Sequence, residues 1–173
     1  MASFGRTLRR VLDRLYDAAG ALAAVCLLAL LIIICLQMIA RWSGVIFLGS
    51  TAYAGYCMAA ASFFALAHTL DHGGHIRVSL LLSQLGSYRR IAEIWCFGIG
   101  SVLAVFLATY AIKAVQVSIK LNDISQGQDA TPIWIPQTPM ALGATLFAVA
   151  MIDRLIRILL GGSYQLGEGA SVE

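Results

Sequence analysis

Four long apolar runs alternate with short polar and basic segments along the 173 residues. The first, Ala18 to Ala40, holds 23 residues without a charge. It follows a polar segment carrying Arg6, Arg9, Arg10 and Arg14 around Asp13 and Asp17. A bilayer core about 30 Å thick needs about 20 helical residues at about 1.5 Å each, so the run predicts a spanning helix over 18–40. A secretory signal also begins with a basic segment, but its apolar core is only about 7–15 residues and ends at a small-residue cleavage site. Here the run is longer and ends in Gln37-Met38-Ile39-Ala40-Arg41-Trp42, which predicts a retained helix. The second run, Val45 to Leu70, predicts a span over 45–70, with His68 near its end. The third, Ile94 to Ile112, lies between Glu93 and Lys113 and predicts a span over 94–113. The fourth, Ala130 to Ile152, is uncharged between Asp129 and Asp153 but contains Pro132, Pro136 and Pro139. Because proline removes a helix donor, regular helix is expected to start near Pro139 or a little before it, giving a span over 136–157. The stretch from Pro132 to Pro136 is then expected to be extended, with Trp134 at headgroup depth.

Between the second and third spans, residues 75–85 are too few to cross a membrane. The isoleucine and leucines among them, with Arg77, Arg89 and Arg90, predict a short amphipathic helix lying along the interface. Gly73 and Gly74 supply the turn into it. The segment 161–173 is polar and glycine-rich and reads as a flexible tail. The expected fold is therefore an all-α integral membrane protein with four transmembrane helices in one domain over 1–160. Orientation follows from the basic residues. With a cytoplasmic N-terminus, that side carries Arg6, Arg9, Arg10, Arg14, Arg77, Arg89, Arg90, Arg154 and Arg157, against Arg41, Lys113 and Lys120 opposite. Nine against three places both termini in the cytoplasm by the positive-inside rule. Lys113, about 20 residues beyond Glu93, lies where its amine snorkels to the far interface.

Composition agrees. Apolar residues make up 60% of the chain and charged ones 12%, with a mean hydropathy of +0.82. Soluble domains sit near roughly 45–50% and 25%, so lipid must solvate part of this surface. The net charge of +3 comes from arginine clusters at predicted helix ends, not from the contiguous basic face a nucleic acid needs. Cys26, Cys35, Cys57 and Cys96 all fall in apolar runs without metal-like spacing, and read as small buried apolar residues.

The candidate chemistry is sparse. His68, His72 and His75 with Asp71 form the sharpest cluster, and histidines four apart share a helix face. Gly73-Gly74 breaks the helix between His72 and His75 at the wet end of a span, so interfacial histidines and a turn are expected rather than a metal site. A transmembrane haem needs histidines facing each other from two helices, and the other spans contain none. No carboxylate lies in the middle of a span, and Gln37 is the only polar candidate deep in the first. A self-sufficient ion-coupled carrier uses such intramembrane groups. With no nucleophile–base motif and no phosphate loop, no enzyme and no cofactor are expected. What remains is packing. Small residues recur four apart at Ala19/Ala23, Gly20/Ala24, Gly55/Ala59, Ala61/Ala65 and Ala144/Ala148, spacing that lets helix backbones approach closely in lipid. Spare packing faces without pathway residues suggest an accessory subunit.

Several motifs carry a family resemblance. Arg41-Trp42 after the first span looks like an Arg-aromatic pair, and Gly55–Ala67 resembles a second-span sequence. His75-Ile76-Arg77-Val78-Ser79-Leu80-Leu81 is close to a His-Ile-x-Val-x-Leu-Leu pattern. Thr131-Pro132-Ile133-Trp134-Ile135-Pro136, followed by Pro139-Met140-Ala141-Leu142-Gly143, resembles a proline-rich start of a last helix. Together, over about Arg41 to Leu160, these resemble the small membrane subunit (DctQ type) of tripartite ATP-independent periplasmic (TRAP) transporters. One departure is that many members carry an acidic pair where this chain reads Ser50-Thr51-Ala52-Tyr53-Ala54, so any role of that pair does not carry over. The resemblance implies a multi-pass protein of the bacterial or archaeal inner membrane. Its implied partners are a large permease subunit, which it scaffolds, and a periplasmic binding protein that delivers an organic acid. It further implies symport driven by an ion gradient, with sodium coupling in the large subunit and no cofactor in this chain. By that reading Trp42, Lys120 and Trp134, in the loops 42–49 and 120–138, face the binding protein, while His75 and Arg77 organise the cytoplasmic turn. Competing readings are a stand-alone homo-oligomeric transporter and a membrane assembly factor outside transport.

Overall fold

The computed structural model describes residues 2–45, 47–71, 89–127 and 130–159. These form four helices: α1 (Ala2–Trp42), α2 (Ser50–Asp71), α3 (Arg89–Leu121) and α4 (Trp134–Leu159). The expected interfacial helix at 75–85, with His72, His75, Ile76, Arg77, Val78, Leu80 and Leu81, lies outside the described residues, as does the tail 161–173.

The described chain is all-helical, and its helices outrun their apolar cores. At about 1.5 Å per residue, the 41 residues of α1 reach about 60 Å and the 33 of α3 about 50 Å. Both exceed a hydrocarbon layer of about 30 Å. The portions Arg10–Trp42 and Ile91–Leu121 are long and apolar enough to cross a membrane. α2 is richer in alanine, serine, threonine and tyrosine than the other three.

Two ends are set by local chemistry. Gly44 takes a left-handed conformation (φ 70°) after α1, while the Val45 N–H donates to the Ala40 carbonyl and the Gly44 N–H to that of Arg41. This is a Schellman stop, in which a residue free to adopt positive φ satisfies the last helix carbonyls. Asn122 (φ 50°) repeats it after α3, with the Asp123 N–H donating to Ser118 and the Asn122 N–H to Ile119. Asparagine is among the few residues that enter this region at small cost.

α4 begins earlier than its prolines suggest. Regular helix starts at Trp134, so the expected extended stretch up to Pro136 is a correction. Pro136 occupies the first turn, where its N–H would have no helical acceptor, and Pro139 costs one donor inside the helix. The cysteines need correcting too. Cys26 and Cys57 are half-buried, whereas Cys35 and Cys96 are exposed because they lie on outward faces of α1 and α3.

α1 and α2 form one antiparallel hairpin and α3 and α4 another, and α2 packs on α4, giving the lateral order α1–α2–α4–α3. The interior is made mostly of alanine. Ala19, Ala23, Ala60 and Phe64 join α1 to α2, and Ala104, Ala108, Ala144 and Ala148 join α3 to α4. Tyr16, Ala67, Leu70 and Ala150, with Phe97 packed against them, bring all four helices together at one end. The large side chains point outward: Leu28, Leu31, Ile32 and Ile39 on α1, and Trp95, Val102, Leu103 and Phe106 on α3, are all exposed. A water-soluble bundle reverses that arrangement.

The α2–α4 seam is tightest at Gly143, where an added Cβ would sit 2.7 Å from the carbonyl carbon and Cβ of Phe63. Nothing lies within 4 Å of such a Cβ at Gly55. Gly143→Ala is therefore expected to force the seam apart at a cost of about 1–3 kcal/mol. Gly55→Ala should hold or slightly raise stability, since alanine is the better helix former by about 1 kcal/mol. Thermal unfolding of the two variants in detergent checks the contrast.

Candidate functional site

Among the described residues, the end of the bundle where α1 and α3 stop and α2 and α4 start carries the most elaborate polar structure. After the Asn122 stop the chain folds back on itself. The Ser125 N–H donates to the Thr131 carbonyl (2.8 Å) and the Ile133 N–H to that of Asp123 (3.0 Å), with Ile124 bridged to Pro132. These bonds pair residues 123–125 with 131–133 as the two arms of a small hairpin, whose backbone groups find partners in each other. The Ile135 N–H then donates to Pro132 and the Gln137 N–H to Ile133, which starts α4 directly from the hairpin.

α2 holds this hairpin from the side. Tyr53 and Tyr56, three residues apart, share one face of its first turns and meet edge to face at 6.2 Å. The Tyr56 hydroxyl donates to Ser125 Oγ at 3.0 Å, and Thr131 Oγ1 lies 3.5 Å from the Tyr53 hydroxyl. Ser125 Oγ also accepts from the Gly127 N–H. One short hydroxyl network thus ties the α3–α4 hairpin to the α1–α2 hairpin.

The residues expected to contact a partner lie around this platform. Trp42 is 86% exposed at the end of α1, and Trp134 is 40% exposed at the start of α4. Arg41, Lys120 and Pro132 are exposed as well. The end presents indole rings and cationic and hydroxyl groups suited to recognising another molecule's surface. Pro139 is half-buried in α4. Of the small residues singled out for packing, Ala61, Ala144 and Ala148 are buried, Ala59 and Ala65 half-buried, and Gly55 exposed. Gly143 is buried in the seam.

The opposite end is held by charge and close approach. Arg154 of α4 donates to the Leu70 carbonyl of α2 at 2.9 Å, a cation set on a helix C-terminus where the helix dipole favours it. Arg157 pairs with Asp153 one turn away on α4. His68 lies beside the backbone of α1, its Nδ1 3.3 Å from the Tyr16 carbonyl and 4.0 Å from an Asp17 carboxylate oxygen. Gly20 leaves room for the imidazole, since a Cβ there would fall 2.7 Å from Nδ1. His68 is therefore occupied by helix contacts, and His72 and His75 lie outside the described residues.

The residues that sequence reasoning missed are Tyr53, Tyr56, Ser125, Thr131 and Arg154. Tyr53 and Tyr56 share a face in any helix, so their pairing was readable. Their partners, 69 and 78 residues away, were not.

Among known families, the one described as the DctQ component of tripartite ATP-independent periplasmic transporters matches residues 30–161. That stretch takes in the platform, the seam, the α3–α4 hairpin, and α2 with the last turns of α1. No curated protein matches the chain.

Removing the Tyr56 hydroxyl tests how the platform is held. Tyr56→Phe is expected to speed amide exchange at Ser125 and Ile133 by about three- to tenfold, the equivalent of a bond contributing about 0.5–1.5 kcal/mol. Hydrogen exchange of the detergent-solubilised chain reads it, with the α3 interior as the unchanged reference.

Proposed function

The chain belongs to the DctQ component family of tripartite ATP-independent periplasmic transporters, and from that premise we propose that it acts as the small membrane subunit of such a transporter, a scaffold for a large permease. The family is that of a transporter component, not of an enzyme. The observation that carries the reading is the family match over residues 30–161. It is supported by helix faces that leave large apolar side chains outside the bundle on α1 and α3.

In this reading all four helices cross the inner membrane and both termini lie in the cytoplasm. The nine-to-three distribution of basic residues supports that orientation. The platform formed by the 122–133 hairpin, Trp42 and Trp134 then faces the periplasm and helps to seat a substrate-binding protein. Aromatic rings on a hydrogen-bonded base suit this role, because contacts dominated by Trp and Arg anchors gain most when little has to be ordered on binding. The organic acid is selected by the binding protein and moved by the large subunit at the expense of an ion gradient, usually sodium. The absence of carboxylates from the middle of the apolar runs supports that division of labour. Gly143, Ala144 and Ala148 hold this chain together, while the outer faces of α1 and α3 are left for the permease and for lipid.

A mild-detergent pull-down of the tagged chain from its native membrane should recover a large multi-span permease at about one to one. Recovery of this chain alone, intact and folded, would favour a homo-oligomeric transporter or an assembly factor instead. Trp134→Ala and Lys120→Ala should weaken uptake without dispersing that complex. A central tryptophan anchor is expected to raise the docking constant by about tenfold or more when truncated. Undiminished uptake in both variants would count against a docking role for this end.

A further inference from the structure

The two hairpins are out of step along the bundle, and their charges reveal it. Packing sets the register of each helix pair. Ala19 and Ala23 pack with Ala60 and Phe64 between α1 and α2, and Phe63 meets Gly143 between α2 and α4. Ala104 and Ala108 pack with Ala144 and Ala148 between α3 and α4. At the end that holds Arg154, Tyr16 of α1 clusters with Ala67, Leu70 and Ala150, and Phe97 of α3 packs against that cluster. The turn of α1 carrying Arg14 and Asp17 is therefore level with Phe97–Ala104 of α3, inside the uncharged run Ile94–Ile112. At the platform end the mismatch recurs with the same sign. The antiparallel register sets Tyr53 and Tyr56 opposite Leu27–Ile33 of α1, and these tyrosines hold Thr131 and Ser125, just past the end of α3. The polar end of α3, with Lys120 and Asp123, thus stands level with the middle of the uncharged run Ala18–Ala40. Beyond that level α1 continues to Arg41, and the chain returns to α2 past Val45, Phe47 and Leu48, all exposed.

An upright bundle cannot suit both hairpins. With the run of α1 centred in hydrocarbon, Lys120 and Asp123 would sit near the middle of the bilayer. With the run of α3 centred there, Arg14 and Asp17 would. Charges at that depth are costly. We infer that the bundle leans in the membrane, its α1 edge carried toward the Arg154 side, so that its lipid-contacting surface is an oblique apolar belt. The stagger is about 10 residues, or about 15 Å, across three interhelix steps of about 8–10 Å each, which gives a lean of about 30°. Membrane helices average about 20° and reach about 40°. The lean levels the tryptophans as well. Trp42 lies beyond Trp134 along the bundle, yet leaning brings both to the headgroup level at the platform end and Trp95 of α3 to the opposite one. The platform then presents its two exposed indoles at one height above the bilayer. This inference rests on the reading that all four helices cross the membrane, not on the subunit role.

Depth measurement on the full chain tests it. The four native cysteines are replaced by alanine, and single nitroxide labels are placed through Arg14→Cys, Ile32→Cys, Leu103→Cys and Lys120→Cys, all outward-facing positions. In vesicles of phosphatidylcholine and phosphatidylglycerol, collision with oxygen, which prefers hydrocarbon, is compared with collision with a water-soluble nickel complex. The labels at 32 and 103 are expected within about 5 Å of the bilayer centre, and those at 14 and 120 about 15 Å or more from it, on opposite sides. An upright bundle instead gives position 32 the depth of 120, or position 103 the depth of 14, and either result overturns the inference. Screening of 32 or 103 from both collision partners would put protein, not lipid, against the belt and overturn it too. Labels through Met58→Cys and Leu142→Cys, exposed on α2 and α4, check the premise separately. Water-level depth at either refutes the four-span reading, and with the other four labels as expected it leaves the offset of α1 against α3 standing.

Discussion

The structure depends on one close approach. α1–α2 and α3–α4 are two helical hairpins, each built on its own tight turn, and α2 against α4 is the seam that joins them. At that seam Gly143 lets the α4 backbone come to within van der Waals reach of Phe63, and Ala61, Ala144 and Ala148 are buried among the residues around it. In lipid, apolar side chains gain nothing by leaving the solvent, so association rests on how closely helix surfaces fit. Alanine and glycine inside, with leucine, isoleucine and phenylalanine outside, is the arrangement that this constraint favours. The same choice explains why, among the described residues, few large side chains are buried, Tyr16, Phe64, Leu70 and Ile158 among them.

The polar chemistry is displaced to the ends for a related reason. Backbone groups that leave a helix must be satisfied locally, because hydrocarbon offers no partner. At one end Gly44 and Asn122 turn the chain with left-handed residues, and the hairpin arms 123–125 and 131–133 bond to each other and to Tyr53 and Tyr56. At the other, Arg154 covers the Leu70 carbonyl of α2 and His68 meets the Tyr16 carbonyl of α1. One end therefore fastens α2 by hydrogen bonds to the connection between α3 and α4, and the other fastens it to α4 and α1, while the middle is held by close packing.

This division bears on function. A rigid middle with apolar flanks suits a subunit that presents a fixed surface to a larger partner and to lipid. A hydrogen-bonded end with exposed indoles suits recognition by a protein outside the membrane.

The sequence by itself determined the membrane class, the four helical segments and the residues that could pack closely, because hydrophobic run length and small-residue spacing are local properties. The family was legible too, in short motifs such as Arg41-Trp42 and the proline-rich stretch from Thr131 to Gly143, which lie within the matched residues. Local reading failed where a rule had an unseen exemption. Pro136 looked like a helix breaker but occupies a first turn that needs no donor from it. Only the tertiary structure decided which small residues matter: Gly143 is pressed against Phe63 while Gly55, in a four-apart small-residue pair, faces open space. It also decided that Tyr56 meets Ser125 and that Arg154 meets Leu70, contacts spanning 69 and 84 residues. Periodicity specifies which face a side chain occupies on its own helix. Which face of another helix it meets is set by the turns and the lateral order of the bundle, and these arise only when the hairpins pack together.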